Sequence, residues 1–187
     1  MRNEIIAASR ELFARYGFKK TAMDDIARAL GKAKSSIYYY FSDKEELFQA
    51  VADVEIGKGK EELVKVAAMQ APAREKFAAY VMARMSVIQS LASYYPTLAE
   101  EYFENYRLIE KLRAEIDREE LSIIGSILKD GVRQNLFSVQ NVSLTASNIL
   151  KVLKGMEYSY LKEKDSRKLK KEINNLAAIL LDGLLKR

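Results

Sequence analysis

The sequence predicts an all-α protein with two parts: an N-terminal three-helix module built on a helix-turn-helix, residues 1–46, joined to a larger C-terminal helical bundle domain, residues 47–187. Three observations carry this expectation. Helix formers dominate, and only two prolines and eight glycines punctuate 187 residues. Apolar residues recur at spacings of three and four through most of the chain. The stretch Thr21–Leu47 reads as two short helices broken at a glycine and followed by the capped start of a third.

The first helix is expected over Asn3–Tyr16, where Ile5, Ser9, Leu12, Phe13 and Tyr16 follow a helical repeat and Gly17 ends it. Thr21 with Asp24 three residues on resembles a capping box. Ile26, Ala27 and Leu30 then share one helical face, and Gly31 suits the left-handed residue after a helix end. A second short helix turns Ile37 and Phe41 inward and leaves Lys34, Ser35, Ser36, Tyr38 and Tyr39 largely outward, the arrangement of a recognition helix that enters a DNA major groove. Ser42 with Glu45 offers a second capping box. Lys44 in the first turn of that helix opposes the helix dipole, and a phosphate there would compensate it. A local pair with Asp43 or Glu46 is the plainer alternative.

The helix from Ser42 continues towards Met69 and contains Ile56-Gly57-Lys58-Gly59-Lys60. Each glycine costs roughly 1 kcal/mol in a helix interior, so a soft point, a bend or a break is expected there, either a hinge or a simple loop. Pro72 suits the first turn of the next helix, which runs to about Ala92 with Phe77, Tyr80, Val81, Met85, Ile88 and Leu91 on its apolar face. Ser93–Pro96 breaks it, a short helix follows over Thr97–Glu104, and a long charged helix spans Asn105–Asn135. Ser143 can cap a helix over Leu144–Lys162, and a charged turn leads to a last helix over Arg167–Lys186.

Composition narrows the functional classes. Cysteine, histidine and tryptophan are absent, so the usual zinc, haem and iron–sulfur sites cannot be built, no disulfide framework is possible, and the commonest general base is missing. No acid–base constellation points to an enzyme, and neither a metal nor a cofactor is expected. No signal peptide opens the chain and no stretch approaches the ~20 apolar residues of a membrane helix, so a cytoplasmic protein is expected. Net charge is +5. Between Arg15 and Lys44 seven bases face three acids, a local excess that suits phosphate attraction.

Residues 5 to 48 resemble the TetR family of transcriptional regulators. The likeness rests on Ile-Ile-Ala-Ala-Ser-Arg-Glu-Leu-Phe, Tyr-Gly-Phe, Thr21, Asp-Asp-Ile-Ala, Leu30-Gly31, Ile37-Tyr38-Tyr39-Tyr40-Phe41 and Ser-Asp-Lys-Glu-Glu-Leu. It implies a DNA-binding N-terminal module, a helical ligand-binding and dimerisation domain, and usually repression. By position, Lys34, Ser35, Ser36, Tyr38 and Tyr39 fall where family members touch DNA, Lys44 matches a phosphate-contacting lysine, and Thr21 lies near a helix-start phosphate contact. Three positions depart from the family pattern. Lys32 replaces an apolar plug of the turn, Ala33 offers no capping oxygen, and Ser35 stands where glycine is frequent.

The partners expected are therefore double-stranded DNA bearing a near-palindromic operator, a small and apolar effector molecule, and a second copy of the chain. Met82, Met85, Tyr94, Tyr95, Tyr102, Phe103, Tyr106 and Tyr158 are the candidate pocket lining, although such a Met and aromatic stripe also fits ordinary core. In the last two helices Ile149, Val152, Leu153 and Met156, with Leu169, Ile173, Leu176, Leu180 and Leu184, are the candidate dimer face. Their spacing suits packing within one domain as well as a four-helix interface with a symmetry mate. The reading from another class is a helical interaction module whose helix-turn-helix docks protein rather than DNA.

Overall fold

The computed structural model describes residues 1–97, 106–163 and 165–186, without the side chains of 106–112, 115 and 166. The described residues form α1 (Arg2–Lys20), α2 (Met23–Ala29), α3 (Lys34–Tyr38), α4 (Lys44–Ala67), α5 (Ala73–Tyr94), α6 (Tyr106–Arg133), α7 (Val142–Lys162) and α8 (Ser166–Leu184). Among them there is no strand beyond a lone antiparallel bridge between Phe137 and Leu185. The expected short helix over Thr97–Glu104 lies, after Thr97, outside the described residues. The chain divides into two compact units, Met1–Gly57 with Ser90–Leu112, and Lys58–Gln89 with Arg113–Arg187.

The first unit is organised by the periodic residues of α1 and of the two short helices. Ile5, Phe13, Ile26, Ala27, Ile37, Phe41, Leu47 and Val51 are buried together. Phe18, Phe13 and Phe48 pack ring against ring, with centroids 4.7–5.8 Å apart. Helical geometry stops at Gly17 (φ 81°), and a short turn carries α1 on to Lys20. Burial of Ser9 is satisfied locally, its hydroxyl donating to the Ile5 carbonyl at 2.7 Å. From the distant segment, Tyr95 packs against this core, and the Arg10 guanidinium pairs with Glu55 while lying 4.1 Å over the Tyr94 ring.

Several helix starts differ from expectation by one or two residues. Ala22 is the cap residue of α2, and the carboxylate that reaches back to its N–H is Asp25, at 3.0 Å, not Asp24. At α4 the Asp43 Oδ1 accepts from the Glu46 N–H at 2.8 Å. Glu46, not Glu45, reaches back to the Ser42 N–H and hydroxyl at 2.7 and 2.8 Å. Asn141 caps α7 through the Leu144 N–H at 2.9 Å, in place of Ser143. Adjacent polar residues make each box possible in two registers, and the deciding term is which apolar residues the rest of the helix must bury. α5 runs on to Tyr94 rather than stopping at Ala92, and the carbonyl of Pro72 accepts its first bond, from Lys76.

The two glycines in α4 do not break it. The helix is continuous from Lys44 to Ala67, so neither a loop nor an interruption is present at 57–59. Gly59 is buried, and a Cβ there would stand 2.8 Å from Cγ1 of Val87 on α5; the missing side chain lets the two helices approach. At the end of α6, Asn135 takes the left-handed conformation (φ 59°), and the Asn135 and Leu136 amides donate to the Val132 and Gly131 carbonyls.

The second unit buries Phe77, Tyr80, Val81 and Met85 of α5 with Ile124, Ile127 and Leu128 of α6 and the inner faces of α7 and α8. Five residues expected at a dimer face belong to this core: Ile149, Leu153, Leu169, Ile173 and Leu184. Their side chains are buried within this unit. Met156, Leu176 and Leu180 are half-buried, and Val152 is exposed. Leu144 and Ile179, not singled out by periodicity, are the more exposed apolar residues of α7 and α8, at 57% and 59%.

Gly131 is tightly enclosed. A Cβ there would meet the buried Phe137 ring at 2.0 Å, so Gly131→Ala is expected to destabilise the protein by about 1–3 kcal/mol and to lower its melting midpoint by roughly 2–4 °C per kcal/mol. In the same helix a Cβ at Gly125 meets only Val142, at 3.9 Å, and Gly125→Ala is expected to stabilise by up to ~1 kcal/mol through helix propensity. Thermal melts of both variants at one protein concentration check the pair. Midpoints moving in the same direction would contradict this account of Gly131.

Candidate nucleic-acid interface

The turn between α2 and α3 is closed by the backbone. Gly31 adopts φ 62°, its N–H donates to the Arg28 carbonyl at 3.1 Å, and the Lys32 N–H donates to the Ala27 carbonyl at 2.9 Å. These paired bonds satisfy the end of α2 and need a residue without steric penalty in the left-handed region. Helix α3 is five residues long and starts from Ala33, which makes no side-chain cap. Ile37 and Phe41 anchor it, at 0% and 1% exposure.

With that side fixed, the opposite side of α3 faces solvent. Lys34 and Ser35 are exposed and Ser36 is half-buried. Tyr38 and Tyr39 are 43% and 82% exposed, and Tyr39 stacks edge-on against Tyr40 at 5.0 Å. A fully displayed tyrosine beside a lysine and two serines can stack, donate to phosphate and reach base edges. The Lys34 ammonium lies 2.8 Å from the Asp24 carboxylate and 5.7 Å over the Tyr38 ring.

Two expected contact residues are placed differently. Thr21 is 1% exposed, and its hydroxyl donates to the Gly17 carbonyl at 2.8 Å; it seals the end of α1 and its side chain does not join the exposed face. Lys44 is half-buried. Its ammonium donates to the Phe18 carbonyl at 2.9 Å and to the Lys19 carbonyl at 3.5 Å, and lies 4.4 Å over the Phe18 ring. It thus ties the start of α4 to the end of α1, and neither Asp43 nor Glu46 is its partner in these bonds. An ammonium carries three donors, so one is left for an outside oxygen. The start of α4 is already served by the chain's own carboxylates, and the Ser42 bonds hold the Glu46 carboxyl below its ordinary range.

The described residues among those expected to line a pocket fall in both units. Met85 is fully buried in the second unit with Met82 packed against its core. Tyr94 and Tyr95 belong to the first unit, edge to face at 4.8 Å. Tyr158 is half-buried with the Lys162 ammonium 4.5 Å over its ring. Tyr102, Phe103 and the Tyr106 side chain lie outside the described residues.

Periodicity missed a buried charge cluster in the second unit. Arg84, 2% exposed, donates through Nε to both Glu120 oxygens at 3.1 Å and through Nη2 to Glu157 at 2.6 Å. Arg113 binds the same Glu157 with both Nη groups, and Lys154 pairs with Asp117 at 2.6 Å. Burial opposes the charge on Arg84, but Glu120 and Glu157 outweigh it and raise its pKa. Burial pushes the Glu120 carboxyl up, against the pull of Arg84. Tyr80 is buried beside these groups, and burial pushes its hydroxyl pKa up. The available signal was Arg84 itself, a charge on the apolar stripe that Tyr80, Val81 and Met85 define.

Comparison with known proteins bears on the same regions. Residues 5–51 match the family model described as bacterial regulatory proteins, tetR family. The chain is similar to the HTH-type transcriptional regulator QacR of Staphylococcus aureus, at 24% identity across 100% of this chain and 99% of that protein. It is also similar to the HTH-type transcriptional repressor AcnR of Corynebacterium diphtheriae, at 37% identity over 27% of each chain. Among solved structures it shares its fold with the regulator FadR of Bacillus subtilis in complex with stearoyl-CoA, with a TM-score of 0.75, 23% identity, and 98% and 99% of the two chains covered.

Two substitutions probe this geometry. Ala33→Ser supplies the missing oxygen at the start of α3 and is expected to stabilise the protein by about 0.5–1 kcal/mol, read from denaturant midpoints at unchanged slope. Glu157→Leu removes the carboxylate that Arg84 and Arg113 share, leaving Glu120 to Arg84 and only Asp117, at 3.8 Å, to Arg113, and is expected to cost about 3–5 kcal/mol. A loss below 1 kcal/mol would mean that water, rather than Glu157, solvates these guanidinium groups.

Proposed function

As the chain belongs to the TetR family of bacterial transcriptional regulators, a family of regulators and not of enzymes, we propose that it is a homodimeric repressor that a small apolar molecule releases from its operator. The observation that carries this reading is the outward side of α3, where Lys34, Ser35, Tyr38 and Tyr39 stand exposed on a helix held from behind by Ile37 and Phe41. In this reading residues 1–46 read DNA, with Tyr38 and Tyr39 on the sugar–phosphate backbone and Lys34 and Ser36 at base edges. Lysine to guanine O6 and N7 is the expected specific pairing. Lys44 offers its remaining donor to a phosphate.

Residues 47–187 provide the effector site and the dimer contact. Two α3 helices meet a near-palindromic site in successive major grooves about 34–36 Å apart, or a multiple of that spacing. The exposed Val152 and Ile179, together with half-buried Met156, Leu176 and Leu180, supply apolar surface on α7 and α8 for the second copy. An effector acts by binding the released geometry more tightly than the DNA-bound one. The stearoyl-CoA held by the FadR structure makes long acyl chains the first class to try. No described helix is long and apolar enough to cross a membrane, in keeping with a cytoplasmic regulator.

Selection from random duplex DNA at two salt concentrations tests the reading. A symmetric site should be enriched, and affinity should fall steeply with salt. Tyr39→Ala should weaken binding to all sequences alike, whereas Lys34→Ala should change the preferred base at one position in each half-site, a discrimination of about 1–3 kcal/mol. Absence of salt-dependent duplex binding would favour a protein-docking module instead.

A further inference from the structure

The acids around the helix-turn-helix have distinct occupations. Asp25 caps α2 and pairs with Arg28 at 3.3 Å, Asp43 caps α4, and Glu46 closes back on Ser42. Asp24 differs from these. Its carboxylate, in the first turn of α2, meets the ammonium of Lys34, the first residue of α3, at 2.8 Å, and both side chains are 54% exposed. Exposed ion pairs contribute about 0–1 kcal/mol to stability, so holding the fold together is a poor explanation for this one. A carboxylate on a face that meets a polyanion lowers affinity for every sequence, which makes its position beside the candidate base reader informative.

The two kinds of acceptor that Lys34 can meet on DNA differ in charge. A backbone phosphate is anionic, and a phosphate drawn onto the Lys34 ammonium would be brought towards the Asp24 carboxylate. Guanine O6 and N7 are neutral acceptors and meet no such repulsion. With three donors, the ammonium can keep Asp24 and still donate to a base edge. The hydrogen bond from Lys34 to Asp24 also raises the lysine pKa above its ordinary value.

We propose that Asp24 is a specificity-determining positioning residue, which holds Lys34 for base edges and keeps it from the phosphate backbone. The inference rests on the DNA-reading function proposed above. Asp24 acts through Lys34 and does not itself touch a base.

The test measures binding of the full chain to random-sequence duplex and to its own selected site, across a salt series, for the wild type and for Asp24→Asn, Lys34→Ala and the double variant. Asp24→Asn should bind random duplex roughly threefold to tenfold more tightly, with a salt slope steeper by about one phosphate contact. Its affinity for the selected site should change less than twofold, so discrimination falls. In the Lys34→Ala background the same change should lose at least half of its effect. Circular dichroism of the variants confirms retained helix content. Equal tightening on both DNAs, unchanged or weaker binding to random duplex, or an undiminished effect without Lys34 would each overturn the proposal while leaving DNA reading intact. Failure of the wild type to bind duplex DNA with salt dependence would remove the reading and the inference together.

Discussion

At Gly31 the chain reverses through a left-handed residue while two backbone bonds close the end of α2, and the direction in which α3 leaves is set there. Helix α3 has five residues and no side-chain cap, far too short to persist alone. Its orientation is imposed by the closed turn at one end and by Ile37 and Phe41 beneath it. The display of Lys34, Ser35, Tyr38 and Tyr39 follows from those anchors and not from any preference of the exposed residues themselves. Substituting the exposed face therefore leaves the scaffold in place, which is what allows such a surface to vary in what it binds.

Much of this is legible in the amino-acid sequence. Gly17 and Gly31 mark the two breaks because glycine takes positive φ without steric penalty, and Ile26, Ala27, Ile37 and Phe41 declare the buried faces by spacing. The cap registers were not legible: Asp24 and Asp25, or Glu45 and Glu46, satisfy the same pattern one residue apart, and only packing separates them. Gly57 and Gly59 suggest an interruption because local propensity is all that a sequence window contains; the place of Val87, where a Cβ on Gly59 would stand, is tertiary. The same limit explains Ile149, Leu153, Leu169, Ile173 and Leu184. A helical stripe says that a face is covered, and not by which chain.

The candidate site shows the same division. The spacing puts Lys34, Ser35, Tyr38 and Tyr39 on the exposed side of a short helix, with Ser36 half-buried at its edge, while Thr21 and Lys44 turn to carbonyls at the end of α1 that no linear pattern reveals. The Arg84, Glu120, Glu157 and Arg113 cluster brings together α5, α6 and α7 across 36 to 73 residues of sequence. Charged groups at this depth are satisfied only as a set. They give the second unit a polar centre that demands one arrangement of three helices, in contrast to the interchangeable aliphatic contacts around it.

Tyr95 lies some forty residues beyond the end of the first unit's N-terminal stretch and yet packs against the core of Ile5, Phe13, Ile26 and Leu47. Arg10 likewise finds both Glu55 and Tyr94. Chains are synthesised from the N-terminus and fold as segments become available. The module that carries α3 is therefore not finished when α4 leaves the ribosome. Its contacts with Tyr94 and Tyr95 can form only once the end of α5 has been made.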